Sequence, residues 1–185
     1  MTDHSTPTPR SPAARLARDG VAVLAGSLVM AIAAHIEVPM WPVPMTLQML
    51  AVFGLALGFG FRLATAMAAA YLVEGALGLP VFAAGGGIAY FAGPTAGYLF
   101  GFLLAAAMIG FLADRGWSRD PVRASAAAFI GAVVVYVLGV AWLAALIGPV
   151  AAVKGGVLPF LPGEAVKIVL AGLALPALRR LIATL

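Results

Sequence analysis

Long apolar stretches with almost no charged residues constrain this chain more than any other feature. Between Met45 and Leu79, only Arg62 and Glu74 carry a charge. Over the whole chain 63% of the residues are hydrophobic and 10% are charged, whereas an average soluble domain is about half apolar and about a quarter charged. Soluble globular domains, disordered chains and nucleic-acid binders are therefore excluded, and the sequence predicts an integral membrane protein.

Six segments come close to the ~17–25 residues with which a helix crosses a bilayer. The predicted spans are residues 20–36, 45–61, 63–79, 96–113, 124–147 and 162–181. The second and third share one apolar run that is too long for a single span, and we predict that Gly58 and Gly60 form the turn between them. Residues 1–19 are polar and rich in Pro, Ser, Thr and Arg, which predicts a disordered tail before a six-helix domain at residues 20–185.

The distribution of basic residues predicts how the chain is oriented in the membrane. Nine of the eleven Lys and Arg residues lie in the tail, in the connections on one side, or near the end of the last span; they are Arg10, Arg15, Arg18, Arg62, Arg115, Arg119, Arg123, Arg179 and Arg180. Lys154 lies on the other side and Lys167 inside the last span. Because Lys and Arg are enriched in cytoplasmic loops, both termini are predicted to be cytoplasmic.

The connections on the opposite, outer side have an unusual composition. Residues 37–44, 80–95 and 148–161 are rich in Pro and Gly, which prevents long regular helices, yet they are apolar and nearly uncharged. Irregular backbone near a membrane must be covered by protein or line a cavity, because lipid cannot satisfy its amides. Short re-entrant packing would account for one such loop, but three on one face favour a pocket that opens to the outside.

Two charged residues at the start of the last span are the main candidates for a binding site. Glu164 and Lys167 are three residues apart and therefore share one helix face. A purely structural ion pair, or a lysine reaching the interface, is the alternative. We favour a functional role because charges within a span usually face a bundle interior or a cavity. Glu74 is a further carboxylate within a span, and it is interfacial, protonated, or paired with Lys154 or Lys167.

Polar and aromatic residues beside the outer loops complete the candidate pocket. Thr46 and Gln48 follow the first loop, where Thr46 could instead cap the helix and Gln48 could instead bond a neighbouring helix. The aromatic candidates for pocket walls are Tyr90, Phe91, Tyr98 and Phe160, with Trp41 and Phe82 nearby. An interfacial aromatic belt would also explain these side chains. The segment from Tyr136 to Ala144 faces either the lipid or the cavity.

Small residues in the first span predict a docking face, and the absence of several motifs argues against enzymatic, metal-binding and nucleotide-binding functions. Ala22 and Gly26 lie four residues apart in the first span, a spacing that allows close helix contact and predicts a docking face for another membrane subunit. The chain has no cysteine and only two histidines, which argues against a metal site. It also lacks a phosphate-binding loop and a nucleophile elbow. An enzyme, a catalytic residue and a nucleotide site are therefore not expected.

Four sequence motifs in this chain occur in the same order as in a known protein family. They are PVPMTLQML at residues 42–50, YLVEGALGLPVF at 71–82, GPTAGYL at 93–99 and PFLPGEAVK at 159–167. Together, over residues 42–171, they resemble the BioY family, the biotin-specific substrate-binding (S) components of energy-coupling factor (ECF) transporters. The last motif of that family usually has Asp where this chain has Glu164, followed by Lys three positions later, and these residues are associated with the ligand site.

The resemblance implies a bacterial inner-membrane protein of six helices with its N-terminus inside. It implies high-affinity capture of biotin from outside, in a pocket capped by the loops after the first and third spans and without a cofactor. It also implies docking on a transmembrane coupling subunit that two ATPase subunits drive, although transport by this chain alone, as a homo-oligomer, stays open. The alternatives are an S component for another vitamin and a membrane anchor that binds no ligand.

Overall fold

The computed structural model describes residues 12–183, with side chains through residue 174. Residues 1–11 of the predicted tail and the side chains of Arg179 and Arg180 lie outside the described part. Six α-helices and a two-stranded hairpin occupy residues 12–183; they are α1 (Pro12–His35), β1 (Glu37–Val38), β2 (Met45–Thr46), α2 (Gln48–Ala76), α3 (Ala96–Asp114), α4 (Pro121–Ile147), α5 (Pro149–Gly156) and α6 (Leu161–Ala183). Short 3-10 turns lie at Ile88–Ala92 and Trp117–Arg119. The predicted all-α bundle is confirmed.

Helix α2 is a hairpin of two antiparallel segments, although its hydrogen bonding is almost continuous. Gly60 at its middle has a left-handed backbone, with φ of 77° and ψ of −176°. If the helix were straight, Gln48 and Tyr71 would lie about 34 Å apart at 1.5 Å per residue. Their side chains instead share a hydrogen bond of 2.7 Å. The predicted turn is therefore at Gly60.

Two features of the turn require glycine at position 60. The positive φ is accessible to glycine at no steric cost, because glycine has no Cβ. In addition, the carboxylate of Asp114, at the end of α3, lies where a Cβ on Gly60 would stand. Oδ2 of Asp114 accepts a hydrogen bond of 3.1 Å from the backbone N–H of Phe61. Asp114 thus caps the second segment of the hairpin, a role that the sequence analysis did not assign.

The predicted number of spans agrees with the described helices. Four of these helices are long and apolar enough to cross a membrane, namely α1, α2, α3 and α4, and a fifth span results if α5 and α6, which are bent by 52°, are taken together. Because α2 folds back at Gly60, it supplies two of the predicted segments, which brings the number to six. The helix ends that flank residues 37–44 and 80–95 share one end of the bundle, called the loop end below, and Gly60 lies at the other.

Two predicted boundaries are wrong. Helix α1 begins at Pro12, so the tail predicted for residues 1–19 is helical from that residue on; Ala, Leu and Arg in this stretch favour helix, and proline suits a first helical position. The connection at residues 148–161 was expected to be irregular, yet it holds α5. Gly148, with φ of 86°, ends α4, and Pro149 starts the new helix.

One residue of the predicted docking face on α1, Gly26, is corrected by the structure, and the role of Ala22 in docking stays a prediction. Gly26 is buried, and a Cβ at this position would meet the side chain of Met67 in α2. Gly26 therefore serves close packing within the chain, a use of small residues that spacing alone cannot distinguish from docking. Ala22 is partly buried on the same helix. The neighbouring Ser27 donates a hydrogen bond of 2.8 Å to Oε1 of Glu74, so among the described contacts Glu74 is joined to a hydroxyl rather than to a lysine.

Candidate functional site

A cavity of about 550 Å³, including the space at its mouth, opens at the loop end of the bundle. Its floor and sides come from the first turn of α2 and from α3, α4 and α6, and its rim comes from the two irregular loops. The residues around it are mostly apolar or aromatic; they are Val43, Pro44, Thr46, Gln48, Met49, Phe82, Ala83, Tyr90, Thr95, Tyr98, Leu99, Phe102, Val135, Tyr136, Phe160, Glu164 and Lys167. An apolar cavity with a few polar groups is typical of small-molecule sites.

The only charged pair at the cavity, within the described part of the chain, lies on the first turns of α6. The side chains of Glu164 and Lys167 are 5% and 9% exposed, and Lys167 Nζ lies 3.5 Å from Glu164 Oε2. Lys167 Nζ also donates to the backbone carbonyl of Thr46 at 2.9 Å. The hydroxyl of Tyr136 donates to the same carboxylate oxygen, Oε2, at 3.2 Å.

Within the described part of the chain, the second oxygen of this carboxylate has no hydrogen-bond partner. Oε1 of Glu164 is buried, and no donor among the described residues bonds to it. A buried acceptor that lacks a hydrogen bond costs about 1–3 kcal/mol. Because Glu164 lines the cavity, a ligand with an N–H or O–H donor can satisfy this oxygen. The site is thus neutral in net charge but offers a strong, unused acceptor.

A second polar group stands opposite α6 at the start of α2. Gln48 is 4% exposed; its Nε2 donates to the Tyr71 hydroxyl at 2.7 Å, and its Oε1 accepts from Thr46 Oγ1 at 3.1 Å. The backbone N–H of Gln48 also donates to Thr46 Oγ1, at 3.3 Å. These bonds, with the bond from Lys167 to the Thr46 carbonyl, join the polar groups of α2 and α6 into one network.

Aromatic rings form the walls between the polar groups. The ring of Tyr136 meets those of Tyr98 and Phe160 edge to face, with centroid separations of 6.4 Å in both cases. The hydroxyl of Tyr98 donates to the carbonyl of Gly156 at 2.9 Å, which ties α3 to α5. The absence of a side chain at Gly139 leaves room for the Tyr98 ring against α4. Each ring is therefore held by neighbours before any ligand arrives.

The loop between α2 and α3 is fastened to the end of α2 through Phe82. This side chain is fully buried, and its ring occupies the space that a Cβ on Gly75 would need. The N–H of Gly87 donates to the Gly75 carbonyl at 2.7 Å, and Phe82 and Gly85 exchange two backbone hydrogen bonds. Tyr90 packs on the Phe82 ring at a centroid separation of 4.7 Å. Because position 75 has no side chain, Phe82 packs against the end of α2 and holds the loop over the cavity.

The structure brings together most of the residues that the sequence analysis selected. Seven line the cavity, namely Thr46, Gln48, Tyr90, Tyr98, Phe160, Glu164 and Lys167, and their contact with a ligand stays a prediction. Phe91 does not line the cavity; its ring packs behind the loop against Phe82 and Phe100. Trp41 is 82% exposed and stands away from the cavity as well.

Sequence reasoning left the side that Tyr136 faces open, and it did not select Tyr71, which lies behind the cavity wall. Both lie in apolar helices without a clear polar face, so periodicity does not show which side of the helix faces the cavity. A usable signal was chemical: a buried tyrosine hydroxyl needs a hydrogen-bond partner, and the chain has few polar side chains to provide one. Across residues 12–174, no group of three or more His, Asp and Glu side chains is placed to hold a metal ion.

Comparisons with known proteins agree on one family. The model of the BioY family matches residues 4–184. The biotin transporter BioY of Thermotoga maritima is 40% identical over 81% of this chain and 89% of its own length, and that of Rhizobium etli is 38% identical over 71% and 75%. The crystal structure of the S-component for biotin from an ECF-type ABC transporter superposes with a TM-score of 0.79 over 93% of this chain and 95% of that chain. Its sequence identity is 22%, so this likeness concerns the fold.

Proposed function

The chain belongs to the BioY family, and we propose that it binds biotin at the loop-end cavity as the S component of an ECF transporter. Relatives that share about 40% of its residues over most of its length are biotin transporters, a class of protein that is not enzymatic. The observation that carries the proposal is the buried carboxylate of Glu164, whose Oε1 has no partner among the described residues. Biotin is the ligand, and no cofactor takes part.

The chemistry of biotin complements this cavity. Its ureido group has two N–H donors and one carbonyl, its thioether ring and side chain are apolar, and its far end is a carboxylate. A ureido N–H donates to Glu164 Oε1, while the ureido carbonyl accepts from Lys167 or from the amide of Gln48. The apolar ring lies among the aromatic walls around Tyr136.

The charges at the cavity support one orientation of biotin, with the ureido ring as its deeper end. The ligand carboxylate is repelled by the carboxylate of Glu164, which already uses the charge of Lys167 at 3.5 Å. The ureido ring is neutral and brings the donors that Oε1 lacks. We therefore place the ureido ring against α6 and the carboxylate toward the rim near Thr95, which lines the same cavity.

Transport requires an energy source that this chain does not contain. Its sequence has no phosphate-binding loop for ATP, so we propose that it docks on a transmembrane coupling subunit driven by two ATPase subunits. We propose that the Gly60 end and both termini lie on the cytoplasmic side of a bacterial inner membrane, which the excess of arginine at that end supports. The cavity then opens outward, and docking uses a surface other than the buried face at Gly26.

Equilibrium binding of radiolabelled biotin to the purified protein in detergent tests the ligand. We expect saturable binding at one site, displaced by unlabelled biotin but not by thiamine or riboflavin. Displacement by one of these vitamins would assign the chain to another ligand. Lack of binding by a sample that unfolds cooperatively on heating would reject the proposal and favour a membrane anchor.

Uptake assays in bacterial cells without other biotin transporters test the partners. We expect accumulation of labelled biotin when the chain is expressed with a coupling subunit and two ATPase subunits, and loss of accumulation when the ATPases carry inactivated nucleotide sites. Undiminished uptake by the chain expressed alone would contradict the need for partners. Crosslinking in the membrane would then show whether a homo-oligomer carries the transport.

A further inference from the structure

Tyr71 is not part of the cavity wall, yet it contacts two residues that are. It lies in the second segment of the α2 hairpin and is fully buried. Its hydroxyl accepts the hydrogen bond of 2.7 Å from Gln48 Nε2. Its ring meets that of Phe82 edge to face, with a centroid separation of 5.3 Å. Both Gln48 and Phe82 line the cavity.

The bonds of Gln48 show what Tyr71 contributes. A side-chain amide has two donor hydrogens and two acceptor lone pairs. In this structure Tyr71 takes one hydrogen, and the hydroxyl of Thr46 takes one lone pair. The two bonds fix the amide at both ends and leave one hydrogen and one lone pair for a ligand. If the Tyr71 hydroxyl were absent, Gln48 would keep only the bond to Thr46 and would be free to turn away from the cavity.

We propose that Tyr71 is a positioning residue for the ligand, in a role that rests on the proposed biotin binding. It holds the amide of Gln48 toward the cavity, where the free N–H bonds the ureido carbonyl. Through Phe82 the same ring also supports the loop that covers the cavity. Tyr71 thus determines the place of one polar contact and one apolar wall without touching the ligand.

Substitution of Tyr71 with phenylalanine separates these two contributions. Phenylalanine keeps the ring and therefore its contact with Phe82, but it removes the oxygen that Gln48 needs. Without this oxygen the amide of Gln48 is no longer held toward the cavity before biotin binds, and we expect the Kd for biotin to rise about 10-fold. The melting temperature in the absence of ligand should change much less than for a truncation to alanine.

A double-mutant cycle identifies the path through Gln48. Gln48→Leu should weaken biotin binding on its own, and Tyr71→Phe added to it should cause no further loss, because the amide that Tyr71 positions is then missing. Thr65→Val is the matched control, because it removes a hydroxyl from the same hairpin segment. Among the described contacts this hydroxyl bonds the carbonyl of Phe61 in its own helix, so the variant should bind biotin as the wild type does.

Three results would overturn the role of Tyr71. They are an unchanged Kd in Tyr71→Phe, a loss in the double variant equal to the product of the two single losses, and an equal loss in Thr65→Val. An additive loss would mean that Tyr71 acts through general packing. These results presuppose wild-type protein that binds biotin, so they differ from failure of the proposed function, in which the wild type itself does not bind.

Discussion

Replacement of Glu164 with glutamine should weaken biotin binding strongly, although the two side chains have nearly the same shape. In the wild type, Oε2 accepts from Tyr136 and Lys167, and Oε1 is free for the ligand. Glutamine has one oxygen and one NH₂ group for these two places. If the NH₂ group points to the ligand, it faces a ureido N–H; if it points the other way, it faces the ammonium group of Lys167. Both orientations bring two donors together.

The size of the effect follows from the bond that is lost. A hydrogen bond to a charged group contributes about 1.5–3 kcal/mol, which corresponds to about 10- to 150-fold in Kd at 1.36 kcal/mol per tenfold change. Removal of the carboxylate also leaves Lys167 buried without its counter-charge. Breaking a buried pair in this way costs about 3–5 kcal/mol of folding stability in proteins, reduced here because Lys167 keeps its bond to the Thr46 carbonyl at 2.9 Å.

Two further variants separate binding from stability. Glu164→Asp keeps the charge and introduces the residue that the BioY family usually has in this motif, so it should bind biotin with a much smaller loss than Glu164→Gln. The double variant Glu164→Gln with Lys167→Met removes both charges, and it should recover thermal stability but not binding. The measurements are equilibrium binding of labelled biotin and the melting temperature without ligand.

The reasoning fails if folded Glu164→Gln protein binds biotin with the affinity of the wild type. It also fails if Glu164→Asp loses as much affinity as Glu164→Gln, because charge at this position would then not decide binding. Recovery of binding in the double variant would show that Glu164 serves only to neutralise Lys167.

Three other predictions concern the hairpin, the loop and the orientation. Gly60→Ala should lower the free energy of unfolding by about 1–3 kcal/mol because φ is positive there. Gly54→Ala should be neutral or stabilising, because no atom beyond its chain neighbours and its own helix backbone lies within 4 Å of the new Cβ; equal melting temperatures of the two variants would contradict this. Gly75→Ala should displace the ring of Phe82, lower the free energy of unfolding by about 1–3 kcal/mol and weaken biotin binding. Wild-type affinity in this variant would refute the role of Gly75 in holding the loop over the cavity. Because the chain has no cysteine, Trp41→Cys should react with a membrane-impermeant maleimide only from outside and Arg62→Cys only from inside; the reverse pattern would invert the proposed orientation.

The hairpin could be predicted from the sequence because the length of the apolar run and the glycine at its middle both indicated a turn. The apolar run from Met45 to Leu79 exceeds one span, and glycine at position 60 offers the backbone freedom that a turn needs. The part played by Asp114 could not be predicted in the same way. Its carboxylate reaches Phe61 from a helix end 53 residues further along the chain, and no local pattern connects two positions at that distance.

The sequence predicted the candidate site best at its charged residues, because charged residues are rare within the apolar spans. Glu164 and Lys167 stand out because charges within spans are costly, and the structure places both at the cavity. Aromatic residues gave a weaker signal, since a ring beside a loop suits a pocket, a membrane interface or the back of another ring; Phe91 belongs to the last group. The small residue Gly26 was misjudged for a related reason, because close packing looks the same in sequence whether the partner is Met67 or another subunit.

The turn at Gly60 and the cavity lie at opposite ends of the same hairpin, which predicts how a defect at the turn reaches the site. About 18 Å of helix separates Gly60 from Gln48 and about 16 Å separates it from Tyr71, yet the last two share a bond of 2.7 Å that requires the hairpin to close. Each molecule therefore either has this hydrogen bond, with its hairpin closed, or lacks it. Gly60→Ala should therefore reduce the fraction of protein that binds biotin and leave the Kd of the folded fraction unchanged. A raised Kd with full binding capacity would instead mean that strain at the turn moves along the two segments into the cavity.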